Sequence, residues 1–280
     1  MSERSVLTTL PASATRDGDG VLINRAIGAR ALPQHDPLLL LDELRSDNSQ
    51  DYIGGFPAHP HRGFETVTYM VEGRMRHRDS AGNSGVIEGG GLQWMTAGSG
   101  ILHSEMPEQN EGRLWGFQLW INLAAAEKMR APRYQEFAAE SIPLVEPTAG
   151  ARVKVLAGTF AGVTGPVDDI AVAPLLLDIQ LLEGVTLTVS TPDEHAAVAY
   201  TFAGRLAVAG EPLSAQQLAL LGQGESLVIA GGVGGGRCLL IAAKPLQEPI
   251  ARYGPFVMNR AEELHQAMAD YQRGLFGLLD

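Results

Sequence analysis

Apolar residues in this chain come in short runs, often β-branched or aromatic, that are interrupted by glycine, proline and polar turns. That pattern predicts many short β-strands rather than helices. Thr66-Val67-Thr68-Tyr69-Met70-Val71 is a strand stopped at Glu72-Gly73, and DPLLLLDEL, residues 36–44, is an apolar strand with an acidic end. A charged hairpin arm, Arg74 to Asp79, turns at Ser80 to Asn83 and returns to Gly89-Gly90-Gly91. Trp94 and Met95 lead through a Thr96–Gly100 turn, Trp115 to Ile121 forms a further strand, and Ala124 to Arg130 is expected to be a short helix ending before Pro132. Residues before Gly20 are polar and expected to be loosely held, with Val21-Leu22-Ile23 starting an outer strand. Helical spacing appears at the end: Ala261, Leu264, Met268 and Tyr271 follow Asn259, an expected N-cap with Glu262 three residues on, and Gly274 ends the run. Such an apolar stripe needs a surface to cover, and the flank of a barrel is the expected one.

The pattern occurs twice. Tyr69 precedes Gly73-Arg74 by four residues and Tyr200 precedes Gly204-Arg205 by the same four, while Gly91 leads to Ala97-Gly98 as Gly224 leads to Ala230-Gly231. Pro143 and Pro147 with Thr148-Ala149-Gly150 read as a linker between the copies. The expected division is therefore residues 1–139, a linker at 140–150, and residues 151–280 carrying the terminal helix.

Two polar dyads stand out within the first copy. His59 and His61 are two residues apart, and His103 and Glu105 repeat that separation. Side chains two apart on a strand share a face, so dyads on neighbouring strands can bring three imidazoles and a carboxylate to one point, the donor set of a transition-metal site. An unbroken strand would put His59, His61, Glu65, Val67, Tyr69 and Val71 on one face, running from ligands into apolar lining. Glu65 is the rival carboxylate, but about 13 Å of straight strand separates it from His61. It reaches the same ion only if Gly63 introduces a bulge, and otherwise supports a ligand or lines the cavity. Counting from the repeat anchors, the second copy offers Ser190, Pro192, Gly236 and Cys238 in place of the dyads, so no metal is expected there. His35, His77, His195 and His265 have no partner at ligand spacing and read as exposed or hydrogen-bonded. Trp94, Trp115 and Trp120 read as core, Cys238 as a small buried hydrophobe in CLLIAA, and Arg74, Arg76 and Arg78 as a solvated face.

Composition narrows the function. In 280 residues, 21 Lys and Arg against 32 Asp and Glu leave a net charge of −11, a sign that repels nucleic acid and anionic membrane. A single cysteine excludes an intrachain disulfide. The N-terminus lacks an apolar core for a signal peptide, and the greasiest run, Ile170 to Leu182, is broken by Pro174 and Asp178. A cytoplasmic protein without a membrane span is expected.

The dyads sit in a recognisable frame. Gly before a His-x-His pair, followed by Glu and Gly, resembles the first cupin motif, and Gly98 to Glu105 resembles the second. HPHRGFETVTY, WMTAGSGILHSEMP, QLWINL and GPFVMN with its acidic helix resemble pirin signatures, together covering about Asp36 to Tyr271. Gly98 in the usual proline place and the late Glu72-Gly73 depart from generic cupins, and both departures are pirin-like. The resemblance implies an all-β fold of two tandem cupin (double-stranded β-helix) barrels with the C-terminal helix packed on a barrel. It also implies one Fe(II) per chain in the N-terminal barrel, bound by His59, His61, His103 and Glu105, with other divalent transition metals able to take its place. The implied activity is quercetin 2,3-dioxygenase: a flavonol is opened by O2 with loss of carbon monoxide, and Glu105 takes the hydroxyl proton. Pirins are also co-regulators of transcription, so an iron-dependent redox switch acting through a protein partner is a second reading. A metal-binding cupin without turnover is a third.

With net charge −11 and no basic tract, the purified protein is expected to bind duplex DNA no tighter than about 1 µM at physiological salt. A gel-shift titration showing sub-micromolar, sequence-selective binding would contradict this.

Overall fold

A computed structural model describes residues 2–279. Strands dominate, as the short apolar runs predict, and the described residues contain one α-helix, Ala261–Gln272. No helix among them is long and apolar enough to cross a membrane.

The chain forms two compact units that interleave in sequence. One holds residues 14–28, 38–139 and everything from Leu246 on; the other holds the segment up to Ser13, residues 29–37 and residues 140–245. In the first, a curved sheet runs Arg133–Phe137, Leu92–Thr96, Phe64–Glu72, Leu114–Asn122, Leu38–Ser46, Val21–Ile27, and a four-stranded sheet runs Phe56–His61, Ile101–Pro107, Arg74–Asp79, Ser84–Glu88. Val21, Ile23, Leu44, Met70, Met75, Ile87 and Leu114 form a buried apolar cluster in this unit.

The second unit repeats that order. Its sheet runs Val6–Pro11, Gln217–Leu221, Ala196–Val208, Ser226–Ala243, Leu175–Leu181, Ala151–Ala157, Leu144–Thr148. Tyr69 is flanked across the sheet by Leu92 and Phe117, and Tyr200 holds the matching place between Leu218 and Leu239. The Tyr-Gly-Arg anchors are thus structurally equivalent, and the fold is two tandem cupin barrels. The Gly91 and Gly224 anchors are not equivalent: Leu92–Thr96 corresponds to Gln217–Leu221, whereas Gly224 opens the long Ser226–Ala243 strand.

That shift corrects the expected ligand positions of the second barrel. The pair matching Phe56–His61 and Ile101–Pro107 is Thr186–Ser190 beside the start of Ser226–Ala243, with Leu187 opposite Ile229 and Val189 opposite Leu227. These four aliphatic side chains, rather than Ser190, Pro192 and Gly236, point into the barrel, where they join a buried core that also contains Cys238. Burial raises the pKa of the Cys238 thiol well above its ordinary value.

Five further expectations change. The N-terminal residues are not loose, because Val6–Pro11 pairs antiparallel with Gln217–Leu221 and completes the second barrel's sheet. The terminal helix packs in the first unit, where Leu264 and Ala267 meet Phe256, Met258 and Phe276. The compact units therefore exchange tails relative to a division in chain order. The Pro143–Pro147 stretch is an edge strand, Leu144–Thr148, a place where proline costs no sheet hydrogen bond. Ala124 to Arg130 is a run of turns, not a helix. The terminal helix is capped at Arg260, whose backbone N–H donates to Glu263 Oε2 at 2.9 Å, one residue beyond the expected Asn259 and Glu262.

Arg4 pins the N-terminal segment. Its buried guanidinium donates to Thr191 Oγ1 at 2.7 Å and to the carbonyls of Gly222, Pro192 and His195 at 2.7, 2.6 and 3.0 Å. Arg4→Ala strands those acceptors and is expected to cost about 2–4 kcal/mol in urea unfolding of the second unit, with the metal content of the first unit unchanged.

Candidate metal centre

The ligand strands are built around a break. Phe56–His61 lies in the four-stranded sheet and Phe64–Glu72 in the other, with Arg62-Gly63 as the corner. Gly63 has φ +88°, and a Cβ there would meet the Val257 carbonyl oxygen at 2.0 Å, so both conformation and space call for glycine. Lys128 locks the corner: its buried ammonium donates to Gly63 O at 2.7 Å, Asn122 Oδ1 at 2.6 Å and Val257 O at 3.1 Å. Burial lowers its pKa to about 8.

His59, His61 and His103 come together, with one ring nitrogen of each lying within 4.8 Å of the others. Register explains this, since His103 lies directly opposite His59 and Ile101 opposite His61 on the paired strand. The His59 Nδ1 lies 2.8 Å from the Pro57 carbonyl and the His61 Nδ1 lies 3.4 Å from the Pro255 carbonyl. A carbonyl only accepts, so both Nδ1 atoms carry the proton and both Nε2 atoms present lone pairs. Those two Nε2 atoms are 3.1 Å apart. Facing lone pairs at that separation repel unless a cation lies between them, and two nitrogens each bound at about 2.1 Å to one ion adopt such a spacing. A proton is a poor substitute, because burial first, and then coupling to the neighbouring histidines, hold His61 and His103 well below the usual histidine range. Both ring nitrogens of buried His103 lack a hydrogen-bond partner. A divalent transition ion fits this donor set.

Glu105 is not part of the 4.8 Å group, although it is buried beside it and lines the same cavity. Its carboxylate accepts from Thr68 Oγ1 at 2.6 Å and from Gln118 Nε2 at 3.2 Å. Glu65 is elsewhere: its Oε1 accepts the Thr96 hydroxyl at 2.7 Å, and it lines no part of this cavity. The single-face reading of residues 59–71 fails at the corner. Beyond Gly63 the parity restarts, so Thr68 and Met70 face the interior in place of Val67 and Tyr69. The glycine directly after the dyad was the available signal for that restart.

The cavity beside the imidazoles measures about 410 Å³. Leu40, Leu44 and Phe56 give it apolar wall, and His59, His61, Glu105 and Gln118 give it the polar end. Trp120, expected in the core, lines this cavity with its ring 5.0 Å from that of His61. Trp94 and Trp115 are buried as expected. His77 is buried and hydrogen-bonded to Asp79 and Gln93, its ring 5.4 Å from that of His103.

Comparison with known proteins assigns this architecture. Residues 20–121 match the family described as Pirin, and residues 176–277 match the Pirin C-terminal cupin domain. A pirin-like protein of Caulobacter vibrioides is 47% identical over 277 residues, which span 99% of this chain and 100% of that one. The chain belongs to the pirin family. Human pirin is 38% identical over 283 residues, covering 99% of this chain and 95% of its own. Among solved structures, a quercetin 2,3-dioxygenase from Acinetobacter baumannii superposes with a TM-score of 0.90 at 31% identity, over 99% of both chains. The three-imidazole cluster of this pirin lies in its N-terminal barrel, within the residues matched to the Pirin description.

Because His103 buries two unpartnered nitrogens, His103→Leu is expected to stabilise the metal-stripped protein by about 1 kcal/mol. The same substitution should sharply reduce metal uptake. Thermal unfolding of stripped and reloaded samples, with elemental analysis, checks both signs.

Proposed function

We propose that this chain is an iron-dependent dioxygenase that cleaves flavonols such as quercetin, with His59, His61, His103 and Glu105 holding one Fe(II) per chain. The observation that carries the reading is the three-imidazole cluster beside a cavity whose wall includes two of its members, His59 and His61. Its volume, about 410 Å³, falls in the range of small-molecule sites, roughly 300–1,000 Å³. The likeness over the whole chain to the Acinetobacter baumannii quercetin 2,3-dioxygenase supports the substrate class.

In the overall reaction both atoms of O2 enter the ring-opened product, two carbon–carbon bonds of the heterocycle break, and the carbon between them leaves as carbon monoxide. A bound Fe(II) supplies the charge that acidifies the flavonol hydroxyl and the electron exchange with O2. The protein's part begins with the imidazoles of His59 and His61, held in the donor tautomer by the Pro57 and Pro255 carbonyls, with His103 beside them. Glu105 accepts the hydroxyl proton on a carboxylate oxygen. Thr68 and Gln118 aim that carboxylate, and turning it toward the imidazoles lets the same side chain serve as a ligand. Leu40, Leu44 and Phe56 keep water from the ring system, and Trp120 offers an aromatic surface beside it.

The two carboxylates test the assignment. Glu105→Gln keeps an oxygen donor but loses the base, so O2 uptake with quercetin is expected to fall at least about 100-fold, a general-base-sized loss, while iron content falls less. Glu65→Gln should retain most of its iron. Retained uptake in Glu105→Gln together with an empty site in Glu65→Gln would reverse the two roles.

A further inference from the structure

The end of the cavity away from the imidazoles is built for an anion. Two guanidinium groups line it, Arg25 and Arg252, together with two carboxylates, Asp17 and Asp42. Arg25 is charge-matched: its Nε and Nη2 donate to the two oxygens of Asp42 at 2.8 and 2.7 Å, and Nη2 also donates to Asp17 at 2.6 Å. Both carboxylates are therefore taken. Arg252 spends only Nη1, on the Leu39 carbonyl at 3.2 Å, among the described residues. Its guanidinium carbon lies 5.0 Å from the centre of the Trp120 ring, and that ring in turn lies 5.0 Å from the His61 imidazole. One indole thus separates the imidazole cluster from a cation with open donors. The cation–π contact with the indole favours this placement of the guanidinium. A Cβ at neighbouring Gly254 would meet nothing within 4 Å, so the space beside Arg252 is open.

We propose that Arg252, held against Trp120, is the specificity-determining residue of this cavity and selects substrates carrying two coplanar acidic oxygens, a carboxylate or a catechol, on the ring remote from the metal-facing hydroxyl. A guanidinium fork matches two such oxygens side by side, whereas the charge of Arg25 is already balanced by Asp17 and Asp42. The inference rests on the flavonol reading of the same site but concerns a different end of it. For a flavonol, the remote ring is the pendant phenyl, and the metal-facing group is the 3-hydroxyl.

The test uses the metal-loaded protein under anaerobic conditions, with binding read by calorimetry for three ligands: 3-hydroxyflavone, its 3′,4′-dihydroxy derivative and its 4′-carboxy derivative. Wild-type protein is expected to bind the carboxylate at least about 10-fold tighter than the unsubstituted ring, the usual yield of one charge-assisted pair, with the catechol between them. Arg252→Met, which keeps the apolar stem, should abolish that preference and change the affinity for 3-hydroxyflavone less than about 2-fold, while Arg252→Lys should restore part of it. Equal affinities for the three ligands in wild type, or an equal loss for all three in Arg252→Met, overturns the assignment. O2 uptake, measured separately, tells the two readings apart. Uptake without an acid preference removes Arg252's role and leaves the dioxygenase standing; an acid preference without uptake does the reverse. Failure of all three flavonols to bind overturns both.

Discussion

The structure of the site depends on holding three imidazoles close together at the wall of a barrel. His61 and His103 give up hydration on entering it, and burial first, with the neighbouring histidines adding to it, disfavours their protonation. Two peptide carbonyls settle the tautomer by accepting from Nδ1, which leaves the Nε2 lone pairs of His59 and His61 pointed at each other. Without a cation between them the arrangement is strained electrostatically. It is a site whose unloaded form is the less comfortable one, and the unpartnered nitrogens of His103 add to that cost.

Much of the rest of the first unit exists to hold that arrangement. The corner at Gly63 sends the chain from one sheet to the other, so that the histidine dyad and the following apolar strand can bound the same interior from different sides. The segment after Leu246 then returns to this unit and seals the corner. Pro255 accepts from His61, Val257 accepts from Lys128, and Asp270 on the terminal helix pairs with the buried Arg62 guanidinium at 2.8 Å. Arg62 also donates to the Ser99 carbonyl at 2.6 Å, tying the helix to the loop that leads into the His103 strand. A barrel wall alone would leave these donors and acceptors buried and unpaired.

The second barrel shows the same strand order put to a different use. On the strand pair that carries His59, His61, His103 and Glu105 in the first barrel, the second presents Leu187, Val189, Leu227 and Ile229 to its interior, and these join a continuous aliphatic core. Ala196–Val208 and Ser226–Ala243 are continuous strands that join its pairs into a single nine-stranded sheet, whereas the first barrel breaks at Arg62-Gly63 between its histidine strand and the next. Packing stabilises one barrel, and the other accepts desolvated polar groups in return for chemistry.

The sequence by itself determined what depends on neighbours along the chain. Two-residue spacing within a strand put His59 with His61, β-branched runs ended by glycine marked the strands, and the Tyr-Gly-Arg repeat announced two copies. Those readings hold because strand periodicity is a local property of the backbone. Tertiary structure decided whatever required counting across a break or pairing distant segments. Parity could not be carried through Gly63, so Thr68 rather than Val67 faces the interior and supports Glu105. Anchor spacing could not be carried past Gly224, where one continuous strand replaces two. Arg252 lies far along the chain from Trp120 and His61, and no pattern of hydrophobicity or charge signals that a late surface arginine lies over the indole beside the imidazole cluster. Contacts of that kind arise from closing the barrel and docking the tail. Their partners are chosen by three-dimensional packing, to which periodicity along the chain is blind.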